Sequence, residues 1–178
     1  SARLIMHTDP KDVHGQDLIA LVKKLGLHNG QVMLSTQKVP PEHLSMLYNS
    51  VDCTINVADA EGFGLSTFES LATETPIIVN MTGGLQEQVT NGSEWFGIGI
   101  EPASKAVIGS QEVPYIYEDR VSGEDVVKAL VKFYNLTKEE REEMGRRGRL
   151  HLENNYSMEK FAEKWDTILT NVYNNQGS

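Results

Sequence analysis

The sequence predicts an α/β fold built on a parallel sheet, and three observations carry that prediction. Short apolar or β-branched runs alternate with segments whose apolar residues recur at helical spacing, the pattern of β–α units. Gly, Pro and Asn punctuate the junctions. The composition is that of an ordinary globular domain, since 39% hydrophobic residues plus 15 glycines fall in the usual ~45–50% band. At 178 residues the chain is one domain or slightly more, taking ~150 residues per domain. That is long enough to bury a core without disulfide or metal staples.

Arg3 to His7 is an apolar run that stops at the Thr8-Asp9-Pro10 turn, and it reads as a strand. From Asp17 to Leu25, apolar residues take helical spacing and Gly26 closes the segment. Gln31 to Leu34 is a second strand, ending near Val39-Pro40-Pro41. Pro41 opens a helix through Leu44, Leu47 and Tyr48, because proline suits a first helical turn. Asp52 to Ala58 is a third strand, rich in β-branched residues. Glu61 to Ser66 is a glycine-containing loop, and Thr67 to Thr73 its helix, with Phe68, Leu71 and Ala72 on one face. Pro76 to Asn80 is a fourth strand, followed by Gly83-Gly84, and Gly97 to Ile100 a fifth. Asp125 to Tyr134 is a helix by its Val126, Val127, Leu130, Val131, Phe133 spacing. Thr137 and Glu140 form a capping box ahead of a charged helix, with Glu142/Arg146 and Glu143/Arg147 in the favourable i, i+4 order. Ser157 opens a last helix through Phe161, Trp165, Ile168 and Leu169. Ala103 to Val121 fits neither period, and its Gly109-Ser110 turn and Tyr115-Ile116-Tyr117 run read as a short hairpin or ordered loop.

Sixteen Lys and Arg against 25 Asp and Glu leave a net charge of −9. An acidic chain has no general affinity for nucleic acid or anionic lipid, so no nucleic-acid partner is expected. An anionic ligand needs a local site such as a helix N-terminus. No run approaches the ~18 apolar residues of a membrane helix, so no membrane contact is expected of this chain. The one cysteine, Cys53, has no internal partner, which points to a reducing, cytoplasmic compartment. The sequons at Asn80, Asn91, Asn135 and Asn155 are then expected to stay unmodified. The five histidines, His7, His14, His28, His43 and His151, show no ligand spacing, and no metal is expected. A start at Ser1-Ala2-Arg3 and a polar end, Asn174 to Ser178, read as a piece of a longer protein.

In an open parallel sheet, ligands gather at the C-terminal ends of strands, where helix N-termini converge. Ala58 to Glu69 is the richest such end. Its glycines permit close backbone approach and unusual φ. The amides of Leu65, Ser66 and Thr67 start the helix without intrahelical partners and suit a diphosphate. Glu61 stands in the loop and Glu69 in the first turns of the helix, and a carboxylate is a two-lobed acceptor suited to vicinal hydroxyls. His7 and Asp9 end the first strand, where a site of this kind lies. Read alone, a glycine loop with two surface glutamates is equally an ordinary strand–helix turn.

Glu61-Gly62-Phe63-Gly64-Leu65-Ser66-Thr67-Phe68-Glu69 resembles the Glu-x7-Glu signature of retaining glycosyltransferases of family 4, which have the two-domain GT-B architecture. The likeness continues through Thr75-Pro76-Ile77-Ile78-Val79, Gly83-Gly84-Leu85-Gln86-Glu87, the Asn91-Gly92 turn, and Tyr156-Ser157 before the Trp165 helix. It covers most of the chain, from about Arg3 to Leu169. The resemblance implies a Rossmann-like, three-layer parallel sheet, the C-terminal half of a GT-B fold, with residues 1–178 as a single, partial donor-binding domain. It implies that Glu69 binds the ribose hydroxyls of a nucleotide sugar and that Glu61 hydrogen-bonds the transferred hexose. Amides of Gly62, Phe63, Gly64, Leu65 and Ser66 would meet sugar hydroxyls and the distal phosphate, with Thr67 beside them. Lys38-Val39 would meet the base through backbone groups, and Gly83-Gly84 would let the chain pass close to the ligand. The donor is a substrate and no cofactor is implied. The acceptor-binding N-terminal domain of the same chain is the implied partner.

Two departures stand out. His7-Thr8-Asp9-Pro10 replaces the Gly-x-Gly that usually follows this strand, and Ala103 to Val121 replaces a shorter connection. The family's phosphate-binding Arg and Lys come from upstream of Ser1, so this chain alone is expected to bind donor weakly and not to transfer sugar. The rival readings are a GT-B epimerase or phosphorylase, a non-catalytic nucleotide-binding module, and a flavodoxin- or receiver-like domain. The Glu-Gly-Phe-Gly-Leu run disfavours the first. A receiver needs clustered aspartates at strand ends, where only Asp9 stands.

Overall fold

The computed structural model describes residues 2–113 and 115–175, so Ser1 and the Gln176-Gly177-Ser178 end of the polar tail lie outside the described residues. The chain forms two compact units, Ser1–His43 and Leu44–Ser178. In the first, β1 (Leu4–His7), α1 (Leu18–Lys24) and β2 (Val32–Ser35) make one β–α–β unit, with β1 parallel to β2 and Leu4 opposite Val32. Asp17 caps α1 by accepting the Ala20 N–H at 2.9 Å, a contact worth ~1 kcal/mol. Lys23 and Lys24 sit in its last turn, where the helix dipole favours cations. Gly26, at φ 70°, ends it. The next helix, α2 (Pro41–Asn49), starts at the end of this unit and continues into the second.

The second unit continues as β3 (Thr54–Asn56), α3 (Leu65–Ala72), β4 (Ile77–Asn80), α4 (Leu85–Val89) and β5 (Gly97–Ile100). Then come β6 (Ser104–Ile108), β7 (Ile116–Arg120), α5 (Gly123–Tyr134), α6 (Lys138–Asn155) and α7 (Met158–Asn175). The order β3-β4-β5 is parallel throughout. The central strand β4 is buried at every position, as a parallel strand covered on both faces must be.

Its side chains alternate between two cores. Ile77 and Val79 pack with Leu71, Leu85, Val89, Phe96 and Leu152, which come largely from α3, α4 and α6. Ile78 packs with Ile98, Ile100, Ala129 and Phe133, which brings in α5. This unit therefore carries the helix–sheet–helix layering expected of the sequence. Each buried Leu, Ile or Phe contributes about 1.5–3 kcal/mol. The charged helix α6 reaches its core through glycines. A Cβ on Gly145 would lie 1.8 Å from the Glu74 carbonyl oxygen, and one on Gly148 would lie 2.6 Å from Leu71 Cδ2.

Several expectations need correcting. The single parallel sheet is instead two parallel sheets, β1-β2 and β3-β4-β5, with β6-β7 a separate antiparallel hairpin. The strands run only three to five residues, and each set closes its ladder within its own unit. The irregular segment 103–121 is that hairpin. Helix α3 starts at Leu65 rather than Thr67, because Gly64 already supplies the turn into it. Its buried face is Thr67, Ser70 and Leu71, and Ala72 is exposed. On α5 only Ala129 and Phe133 are buried, while Val127, Leu130, Val131 and Tyr134 form an exposed second stripe. The capping box is formed, with the Thr137 N–H donating to Glu140 Oε2 at 2.7 Å and the Glu140 N–H to Thr137 Oγ1 at 3.2 Å. Arg146 pairs with Glu143 at 2.6 Å, and Glu142 with Lys138 at 3.5 Å, so the Glu142/Arg146 pairing gives way to its neighbours.

Burial pushes the Cys53 thiol up to about 11, helped by the Asp52 charge and opposed by Arg141. The folded state therefore holds this proton more tightly than the unfolded chain. Its contribution to stability is complete below the ordinary thiol pKa of ~8.5 and is lost as pH rises through about 11. At pH 8, a disulfide reagent is expected to label native Cys53 roughly two orders of magnitude more slowly than the unfolded chain. Equal rates would refute the burial argument.

Candidate functional site

The loop from β3 to α3 ends on Gly64, which is buried and left-handed at φ 86°. Lacking a side chain, Gly64 gives α3 no side-chain cap. The first backbone bond of the helix runs from the Phe68 N–H to the Gly64 carbonyl at 3.0 Å. The Leu65, Ser66 and Thr67 amides precede it and have no intrahelical partner. No acidic residue stands in the first turn, so the positive end of the helix dipole is left uncompensated there.

What holds this loop is the start of α4. The Gly84 N–H donates to the Gly62 carbonyl at 3.1 Å. Gly83 is left-handed at φ 47°, and a Cβ there would fall 1.7 Å from the Glu61 carbonyl oxygen. On Gly84 it would fall 2.8 Å from the carbonyl oxygens of both Gly62 and Phe63. The backbone that Gly83 and Gly84 admit within the protein is that of the Glu61–Phe63 loop. Gln88, fully buried on α4, donates from Nε2 to the Phe63 carbonyl at 2.6 Å and the Gly64 carbonyl at 3.2 Å. The Thr67 hydroxyl stands 2.7 Å from Gln88 Oε1 and 2.9 Å from the Gly64 carbonyl. The Phe63 ring packs with Phe68 at 5.3 Å and Tyr156 at 6.3 Å between centroids.

Both glutamates are half-buried. Asn56, the last residue of β3, donates to Glu61 Oε2 at 3.4 Å and accepts the Ala58 N–H at 3.0 Å, fixing the loop at its start. The Tyr48 hydroxyl donates to Glu69 Oε2 at 2.9 Å. Burial first, then that bond and the Glu69 charge, push the Tyr48 phenol well above its usual range, so it stays a donor. Glu69 keeps Oε1 outside this bond, an acceptor of the kind a hydroxyl pair needs.

The remaining expected residues lie in the first unit. His7 ends β1, exposed, with Nδ1 2.9 Å from Ser35 Oγ. Asp9 accepts the Lys11 N–H at 2.9 Å and so closes its own turn. Lys38 is exposed and Val39 half-buried, between β2 and α2. Sequence reasoning missed Tyr48, Asn56 and Gln88. Gln88 had a signal, since it stands with Leu85 and Val89 at the spacing of an apolar stripe. It also missed Asp119 of β7, which joins the hairpin to β4. Asp119 accepts from the Asn80 amide and, at 2.8 Å, from the Thr82 hydroxyl, and its N–H donates to the Asp59 carbonyl at 2.7 Å. Thr82, then Lys105, hold its carboxyl below the usual range. Among the described residues no three His, Cys, Asp or Glu side chains gather as metal ligands, and no helix is long and apolar enough to cross a membrane.

Free amides flanked by two carboxylates suit an anion that also carries hydroxyls. The chain belongs to the family described as glycosyl transferases group 1, whose pattern matches residues 13–151, well over half its length. Among curated proteins, the D-inositol 3-phosphate glycosyltransferase of Corynebacterium urealyticum is 29% identical over 127 residues, covering 64% of this chain and 30% of that protein. The enzyme of the same name from Acidothermus cellulolyticus is 32% identical over 108 residues, covering 60% and 24%. The chain thus spans less than a third of these relatives.

Among solved structures, sucrose-phosphate synthase from Thermosynechococcus elongatus superposes with a TM-score of 0.68 at 19% identity, over 96% of this chain and 38% of that one. Anabaena HepE, solved with UDP and glucose, gives 0.66 at 15%, over 95% and 40%. The C-terminal domain of a group 1 glycosyltransferase from Francisella tularensis gives 0.58 at 20%, over 84% and 66%. At these identities the likeness is one of fold, an α/β domain of the GT-B, Rossmann-like kind.

The glycine contacts predict an asymmetry. Gly83→Ala forces backbone against backbone, and an overpacking cost of about 1–3 kcal/mol lowers Tm by several degrees. Gly62→Ala, with nothing within 4 Å of its added Cβ, is expected to stay within ~0.5 kcal/mol. Equal Tm shifts in thermal unfolding would show that the loop does not rest on Gly83.

Proposed function

We propose that the chain is the donor-binding, C-terminal domain of a retaining GT-B glycosyltransferase that transfers a hexose from a nucleoside-diphosphate sugar. The observation that carries this reading is the start of α3: amides behind a left-handed Gly64, with Glu61 before them and Glu69 one turn on. In this reading Glu69 holds the ribose hydroxyls and Glu61 the hexose, while amides from Gly62 to Ser66 meet the diphosphate. By the resemblance, Lys38-Val39 would meet the base, and His7 and Asp9 are assigned to the donor. Gly83-Gly84 supports the loop from behind. The names of the curated relatives, and the UDP and glucose in the Anabaena structure, support a nucleotide-sugar donor. The likeness to a separately solved C-terminal domain supports the choice of half.

The acceptor hydroxyl attacks the anomeric carbon on the face the diphosphate leaves. The bond from that carbon to the phosphate oxygen breaks, and the departing diphosphate takes the electron pair and the acceptor proton. Preorganised amides stabilise the charge that develops. An N-terminal domain of the same protein supplies the acceptor site. The last helix supports such a partner: α7 buries no residue and exposes Phe161, Trp165, Ile168, Leu169 and Val172 along one side, a stripe of the kind that marks an interface.

Thermal unfolding of the full-length protein against UDP, GDP, ADP and CDP tests the reading. At ligand near 100 times Kd, mass action adds ~2.7 kcal/mol, a rise of several degrees in the transition that unfolds the donor-binding domain. One base is expected to give that shift, and Glu69→Ala to abolish it. Labelled donor should yield glycosylated acceptor. An altered free nucleotide sugar would replace this reading with an epimerase, and nucleotide binding with neither outcome would leave a binding module.

A further inference from the structure

Gln88 has more to do than fill a core. It is 0% exposed, and a buried primary amide must satisfy both its donor and its acceptor ends. Its orientation is fixed by chemistry, because the groups facing one end are two carbonyls, Phe63 at 2.6 Å and Gly64 at 3.2 Å. Carbonyls only accept, so the NH2 faces them. The Thr67 hydroxyl at 2.7 Å then meets Oε1.

These bonds fix the direction of two peptide planes. No described peptide bond is cis, and in a trans peptide the N–H points opposite to the C=O. With the Phe63 and Gly64 carbonyls turned toward Gln88, the Gly64 and Leu65 N–H groups point away from α4. The Gly84 N–H on the Gly62 carbonyl does the same for the Phe63 N–H. Gly64 in the left-handed region followed by helical Leu65 is also the backbone combination whose successive N–H groups converge on one point.

We propose that Gln88 is a positioning residue: by holding the Phe63 and Gly64 carbonyls from behind, it aims the Gly64 and Leu65 amides at the distal phosphate of the donor nucleotide. The inference rests on the donor-site reading above. Gln88 touches no substrate. Without it, the Phe63 carbonyl loses its buried donor, that peptide is free to rotate, and the amides are no longer preorganised.

The test measures calorimetric affinities of the full-length protein for matched pairs, UDP with UMP, GDP with GMP, ADP with AMP and CDP with CMP, using the pair that binds the unmodified protein. Gln88→Met keeps the volume of the side chain and removes its hydrogen bonds. It is expected to weaken the diphosphate about tenfold or more while changing the monophosphate less than about twofold. Thr67→Val frees one end of the Gln88 amide, and is expected to show the same selective loss at smaller size. It carries the test if Gln88→Met does not fold. Equal losses for both members of the pair, or no loss, with binding intact in the unmodified protein, would overturn the positioning role and leave the donor site standing. Failure of every pair to bind the unmodified protein would overturn both.

Discussion

Backbone pressed on backbone, where Gly83 and Gly84 meet the Glu61–Phe63 loop, is the constraint on which the second unit depends. No side chain fits in that space, so α4 starts directly behind the loop. That places Gln88 under the Phe63 and Gly64 carbonyls, and Gly64 takes its left-handed turn against Leu85. The turn sets where α3 begins, and the beginning sets which residues face inward. Thr67, Ser70 and Leu71 are therefore buried, and Glu69 comes to the Tyr48 hydroxyl. A contact between two turns thus determines the aspect of a whole helix.

Much of this was legible in the sequence. The strands of the parallel sheets announced themselves as short apolar or β-branched runs between turn residues. The capping box at Thr137 and the proline at the start of α2 were equally plain, since both act through residues three or fewer positions apart. What stayed hidden depends on distance along the chain. Gln88 reaches back 25 positions to Phe63, and Tyr48 reaches 21 forward to Glu69. Local periodicity carries no trace of such pairs. The five-residue α4 shows only the Leu85, Gln88, Val89 spacing, which turns Gln88 inward without naming its partner. The buried face of α3 was read only in part, with Leu71 and the core-packed Phe68, because its other members, Thr67 and Ser70, are polar. Their hydroxyls find acceptors inside, Ser70 on the Thr75 carbonyl at 2.9 Å, which removes the usual penalty for burial.

The second unit buries polar side chains at both ends of β4, with Ser70 and Thr75 at its start, and apolar ones between them. The middle of the sheet is held by Ile77, Ile78, Val79 and Ile98, whose attraction is non-directional. At the C-terminal end of β4 the buried groups are Asn80, Thr82, Gln88 and Thr67, and hydrogen bonds are directional. Apolar packing supplies cohesion, and the polar end supplies the orientation a site needs. Asn80 marks the boundary. Its amide donates to Ala58 at 2.8 Å and also to Asp119, while its Oδ1 is buried with no partner, a cost of about 1–3 kcal/mol borne where the sheet gives way to loops.

The hairpin of β6 and β7 is attached differently from every other element of this unit. Among the described residues, the hydrogen bonds that tie it to β4 and to the loop after β3 all end on Asp119. A segment hung from one residue is insulated from the scaffold beneath it. Substitutions elsewhere along its strands, such as at the exposed Tyr117, touch none of these bonds. Such a single-point suspension lets the hairpin change length or outer residues with little consequence for the sheet beneath it.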